Sequence, residues 1–177
     1  MKASKVFSTE DLKQYFTWCD EDVVTLWMKC ADYLLNKYDA KEFLIKHKKL
    51  LDGTEEEFLV SINTRLVDTS KIPKSIQKKP IVEAAGIGMG LLTTLWLRPP
   101  RKFSVTMEGE GYDYRYLPED SQEEELIEVT GTETPGEGEI RLRAKIRKFE
   151  RDHPKTLGYV SVSCFYDKLL IHWGHKN

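Results

Sequence analysis

Gly111-Tyr112-Asp113-Tyr114-Arg115-Tyr116 and Glu125-Leu126-Ile127-Glu128-Val129-Thr130-Gly131 decide the fold of this 177-residue chain. Both stretches alternate with period two, the pattern of half-buried strands. Tyr112, Tyr114 and Tyr116 share one face, Asp113 and Arg115 the other. In the second stretch Ile127 and Val129 share a face, with Glu128 and Thr130 opposite. Residues 117–124, Leu-Pro-Glu-Asp-Ser-Gln-Glu-Glu, form a polar connection with turn chemistry. If the strands pair about that loop, Asp113 lies opposite or nearly opposite Glu128. Opposed residues in an antiparallel pair have Cβ atoms about 4.5–5.5 Å apart. Two carboxylates that close repel unless a cation, a proton or a basic side chain stands between them.

Outward from this pair, toward the C-terminus, the Gly/Pro-containing loop 132–138 leads to an amphipathic helix over 139–152, with Leu142, Ile146 and Phe149 on its buried side. Strands follow at 159–166 and 169–173, joined at Asp167-Lys168. Toward the N-terminus, 103–108 reads as a strand. Before it, Ile81 to Trp96 is a helix with Pro80 in its first turn and Pro99-Pro100 beyond its end. Ala84, Ala85, Gly86, Gly88 and Gly90 make that helix small-sided, suited to close packing. Its three glycines follow no strand and precede no GK[ST], so a phosphate loop is disfavoured. Its length is near the lower limit for crossing a bilayer, and a buried core helix is the expectation.

The first 80 residues read as helical. Ser8 or Thr9 caps a first helix with Leu12, Tyr15, Phe16 and Cys19 on its apolar side. Asp20 caps a second, carrying Val23, Val24, Leu26, Trp27, Cys30, Ala31, Leu34 and Leu35. Lys41 to Leu51 is a third candidate. Thr54 with Glu57 forms a capping box for a fourth, to about Leu66, with Phe58, Leu59 and Ile62 at helical spacing. Asp68 to Lys79 reads as a loop or boundary.

Net charge is −2, with +1 on residues 1–80 and −3 on 81–177, so no overall basic charge advertises a polyanion partner. Cys19, Cys30 and Cys164 lack CxxC spacing, which argues against zinc and a disulfide framework. Reduced, buried thiols in a cytoplasmic protein are the expectation. Met1 to Glu10 has no apolar run of a signal peptide.

The helix over 81–96, the three strands, the helix over 139–152 and the strand after it resemble the PD-(D/E)XK, or restriction-endonuclease-like, nuclease superfamily. That core is a helix, a three-strand meander, a helix and a further strand. The family's sheet aspartate matches Asp113, which follows Gly111 in a Gly-x-Asp context, and its (D/E)-x-K tripeptide falls on Glu128-Val129-Thr130. An acidic residue on the first core helix, often an extra metal ligand in the family, matches Glu83. The resemblance covers about half of the chain, Ile81 to Trp173. It departs from the family at Thr130, where the catalytic lysine belongs: a hydroxyl brings no positive charge. Lys145 or Arg141 on the following helix can reach back in its place.

The fold expected is therefore α+β: an N-terminal helical region over 1–80, then a nuclease-like core over 81–177 with two strands after the last helix and a mixed sheet, the two regions forming either separate units or one continuous domain. The resemblance implies a metal-dependent nuclease acting on DNA or RNA. Glu83, Asp113 and Glu128 would ligate magnesium or manganese, and Asp113, Glu128 and Lys145 would be catalytic. Arg141, Arg143, Arg147 and Lys148 would hold the nucleic-acid backbone. Plainer readings stand beside these. Asp113 can pair with Arg115 or Lys145, and Glu128 with a lysine across the sheet. The helical basic residues can be a solvated face, Glu83 a helix-edge residue, and the tyrosines packing rather than base-stacking groups. His172 and His175 read as tail residues. Two other function classes are a catalytically inactive nuclease-like binding module and an interaction protein that uses helices of residues 8–66 for a partner or for self-association.

Overall fold

The computed structural model describes residues 2–8, 21–49, 53–63, 78–97, 100–105, 113–119 and 122–175. The chain is α+β, with one mixed sheet and three helices among those residues. In order the elements are β1 (Lys2–Ser8), α1 (Glu21–Lys37), β2 (Glu42–Lys49), β3 (Glu55–Asn63) and α2 (Lys78–Leu97). Then come β4 (Pro100–Val105), β5 (Tyr114–Pro118), β6 (Glu125–Thr132), α3 (Gly138–Asp152), β7 (Gly158–Cys164) and β8 (Leu169–His175). The strand order is β1-β3-β2-β8-β7-β6-β5-β4. Pairings β1–β3, β2–β8 and β6–β7 are parallel and the rest antiparallel.

The elements expected from Ile81 onward all form, with ends shifted by a few residues. Two expectations upstream are overturned. Lys41 to Leu51 and Glu55 to about Leu66 are not helices: they contain β2 and β3. Their burial alternates, with Phe43, Ile45 and His47 of β2 and Phe58, Val60 and Ile62 of β3 turned inward. Leu44, Lys46 and Lys48 lie on the outer face, where Lys46 meets Glu57 at 3.2 Å and Lys48 meets Glu55 at 3.7 Å. The Thr54–Glu57 box caps nothing; Thr54 lies beside Gly53, whose φ of 67° suits a hairpin return. Among the described residues the sheet has eight strands, where five were expected. The helix expected before Cys19 falls on residues outside the described ones, and Lys2–Ser8 is a strand paired to β3.

α1 and α2 cover one face of the sheet and α3 the other. On the first face Cys30, Leu34 and Leu35 of α1 and Ala85 and Met89 of α2 enclose Phe43, Ile45, Val60 and Leu170. Trp27, Leu91 and Leu95 enclose Tyr114, Ile127 and Val129. On the second face Leu142 and Phe149 pack on Leu126, Val160, Val162, Ile171 and Trp173. By length and composition α2 is apolar enough to cross a membrane, yet most of it is buried inside this protein. Its glycines explain how it seats so low on the sheet. A Cβ on Gly86 would stand 2.4 Å from the backbone nitrogen of Gly131, and one on Gly90 would stand 2.7 Å from Val129 Cγ1. The boundary expected near residue 80 thus lies between elements of one sheet.

Candidate functional site

The register of β5 on β6 pairs Tyr114 with Ile127 and Arg115 with Leu126, which carries Asp113 opposite Glu128. Asp113 sits at the bend that opens β5. Its N–H donates to the Ile127 carbonyl at 3.1 Å, and its Oδ2 accepts the Val129 N–H at 2.9 Å. The aspartate is therefore tied by backbone bonds to the strand that bears the glutamate. Ile127 and Val129 point toward α2, so Asp113, Glu128 and Thr130 share the α3 face.

Glu128 is 1 % exposed. Its Oε2 accepts a short hydrogen bond from Lys145 Nζ, and its Oε1 lies 3.1 Å from Lys148 Nζ. Lys145 and Lys148 are three residues apart, so both descend from the same side of α3 as Leu142 and Phe149, the residues that seat the helix. Burial, and then the neighbouring Glu128 charge, hold the Asp113 carboxyl above its usual range; the Val129 N–H, Lys145 and Lys148 oppose the shift. Glu128 has its basic partners from the helix rather than across the sheet, and Arg115 reaches Glu124 at 3.5 Å.

Four residues expected at the site come together: Asp113, Glu128, Lys145 and Lys148. Glu83 does not join them. It lies on α2, against the other face of the sheet, half-exposed and 3.8 Å from Lys79. It lines a cleft with Lys79, Thr132, Glu133 and Arg141 at the end of β6. Among the described residues no three His, Cys, Asp or Glu side chains cluster as a metal site. Arg141 turns to Glu137, with Nε 2.8 Å from Oε2, and away from Glu128. Arg143 and Arg147 are exposed on α3. Tyr114 packs edge-on against Trp27, ring centroids 5.7 Å apart, so it is a core residue and not a base-stacking one. Tyr112 lies outside the described residues. Cys30 and Cys164 are free and buried, their thiols pushed up to about 11 and about 12 by burial.

Magnesium needs hard oxygen donors in an octahedron, and one or two carboxylates completed by water and phosphate oxygens suffice. Asp113 and Glu128 bring two carboxylates together here, and both Glu128 oxygens already face Lys145 and Lys148.

His172 was expected in an exposed tail. It is wholly buried in β8, with its Nδ1 3.1 Å from Nδ1 of His47. The strand expected over 169–173 already held His172 between Ile171 and Trp173, and that apolar run was the signal against a tail residue. No protein-family model, curated protein or solved structure matches the chain.

Proposed function

We propose that this chain is a nuclease-like protein that acts on DNA or RNA phosphodiesters through Asp113, Glu128 and Lys145. The observation that carries the reading is the hydrogen bond from Lys145 on α3 to Glu128. It puts an ammonium group beside the motif glutamate, where Thr130 supplies no charge. The run α2, β4, β5, β6, α3, β7 also supports a restriction-endonuclease-like core.

Asp113 and Glu128 would hold the magnesium or manganese ion. That ion would polarise a phosphodiester oxygen and lower the pKa of a bound water. Lys145 would supply positive charge toward the negative charge that develops on the phosphate oxygens. Lys148 holds the second oxygen of Glu128 and so fixes the carboxylate plane. Arg143 and Arg147, exposed on α3, would contact backbone phosphates, the sequence-independent part of nucleic-acid affinity.

A second reading is an inactive nuclease-like fold that binds nucleic acid. Its support is that both Glu128 oxygens already face lysines. Calorimetry with manganese, alongside cleavage of single- and double-stranded DNA and RNA, separates the two. The enzyme reading expects manganese binding that is lost in Asp113→Ala with Glu128→Ala, and cleavage that falls at least about 100-fold in Lys145→Ala. Salt-dependent nucleic-acid binding without cleavage or metal uptake selects the inactive fold.

A further inference from the structure

A row of polar side chains crosses the sheet beneath α2. Glu56 on β3 stands opposite His47 on β2, His47 opposite His172 on β8, and His172 opposite Ser161 on β7. His172 and Ser161 are fully enclosed, and His47 is 9 % exposed. The His47 and His172 Nδ1 atoms are 3.1 Å apart, and His172 Nε2 is 3.3 Å from Thr94 Oγ1.

The hydrogen bonds fix where the protons sit. Thr94 has one hydroxyl hydrogen and donates it to the Gly90 carbonyl at 3.0 Å. His172 Nε2 must therefore carry the hydrogen of its bond to Thr94. Nδ1 of neutral His172 is then an acceptor, and His47 Nδ1–H is its donor. A proton added to His47 enters at Nε2 and leaves this bond intact. A proton added to His172 enters at Nδ1 and meets the Nδ1–H of His47 head-on. The pair tolerates a charge on its outer ring and none on its inner ring.

The location gives this asymmetry a consequence. Among the described residues, β2–β8 is the strand pairing that joins β1-β3-β2 to β8-β7-β6-β5-β4. We propose that the His47–His172 pair is an acid-sensitive latch between the two halves of the sheet: neutral rings hold β2 on β8, and protonation of His172 opens that pairing.

Few groups face the pair to resist acid. Among the described residues, Glu56 approaches His47 from β3, but Lys49 on β2 lies 3.0 Å from Glu56 and offsets its charge. α2 presents the Thr94 hydroxyl. β7 presents Ser161 and the Tyr159 ring, whose centroid is 5.1 Å from that of His172. Burial holds the His47 ring below the ordinary histidine range, aided by Lys49, and holds His172 well below it, aided by His47. The unfolded or opened chain then binds protons that the closed one refuses. Stability is complete above about pH 6.5 and falls as pH drops below it, by up to tenfold in the opening constant per ring and pH unit.

The test is NMR on the full chain from pH 7.5 to 5. At neutral pH the ring nitrogens should report Nε2–H on His172 and Nδ1–H on His47. Hydrogen-exchange protection on β2 and β8 should fall up to about tenfold per pH unit, ahead of the β6–β7 pairing. His172→Phe, which cannot be protonated, should flatten that dependence. The latch is refuted by the opposite tautomers, by equal loss of protection across the whole sheet, or by an unchanged pH slope in His172→Phe. Should that variant not fold, the wild-type titration decides alone: rings that charge near pH 6.5 with β2–β8 still protected also refute it.

Discussion

Glu128 shows how much a buried charge depends on its partners. Its carboxylate is enclosed and paired with both Lys145 and Lys148. Removing one partner from a buried pair exposes the desolvation cost of the other. Both lysines are partly exposed and each backs up the other, so the loss for a single change is smaller than for an isolated buried pair. Lys145→Ala should lower stability by about 1–3 kcal/mol, and adding Lys148→Ala should cost more than the two separate losses summed; urea unfolding measures both. Asp113 behaves differently. Its carboxyl is held above the usual range, so the folded state binds that proton more tightly than the unfolded chain does. Its contribution is fully present below the ordinary value of 3.8 and is lost as pH rises through the raised folded value. Asp113→Asn keeps an acceptor for the Val129 N–H and removes the titration. Its melting temperature should therefore change less between pH 4 and 7 than that of the wild type, with the gap favouring the variant at the upper end.

At the scale of elements, the contact between α2 and β6 is the tightest test of the packing. Gly86 and Gly131 let helix backbone approach strand backbone directly, and a methyl group at Gly86 has no flexible side chain to push aside. Alanine gains about 1 kcal/mol of helix propensity over glycine. Overpacking against backbone exceeds that gain, so Gly86→Ala should be destabilising by about 1–3 kcal/mol net, read as a lower denaturation midpoint. The small-residue run that permits this approach was visible in the sequence. The strands β2 and β3 were misread for a physical reason. Phe43 and Leu44, followed by Leu50 and Leu51, satisfy helical spacing, and Thr54-x-x-Glu57 mimics a cap. The same residues also alternate, as Phe43, Ile45, His47 and as Phe58, Val60, Ile62. Short segments support both periods, and pairing within the sheet, β2 with β8 and β3 with β1 and β2, decides between them.

At the scale of the molecule, the N-terminal strands are part of the sheet that carries the acid pair. β2 lies on β8, and one apolar cluster takes residues from α1, β2, β3, α2 and β8. A chain beginning at Lys78 would expose Leu170, Ala85 and Met89 of that cluster. It should lack cooperative unfolding and should aggregate; a sharp calorimetric transition from such a chain would contradict this single-sheet account.

The sequence by itself determined the elements after Ile81 and the alternation that sets Asp113 and Glu128 on one face. These are local properties: a period of two or 3.6, a proline before a helix, a run of small residues. Tertiary structure decided the rest. It turned two amphipathic segments into strands, because burial on a sheet outweighs weak helical spacing. It moved Glu83 to the far face, because α2 and α3 pack on opposite sides. It brought Lys145 and Lys148 onto Glu128 and His172 onto His47, contacts spanning 17, 20 and 125 residues of chain. No local pattern encodes such distances; they follow from where whole elements bury their apolar faces.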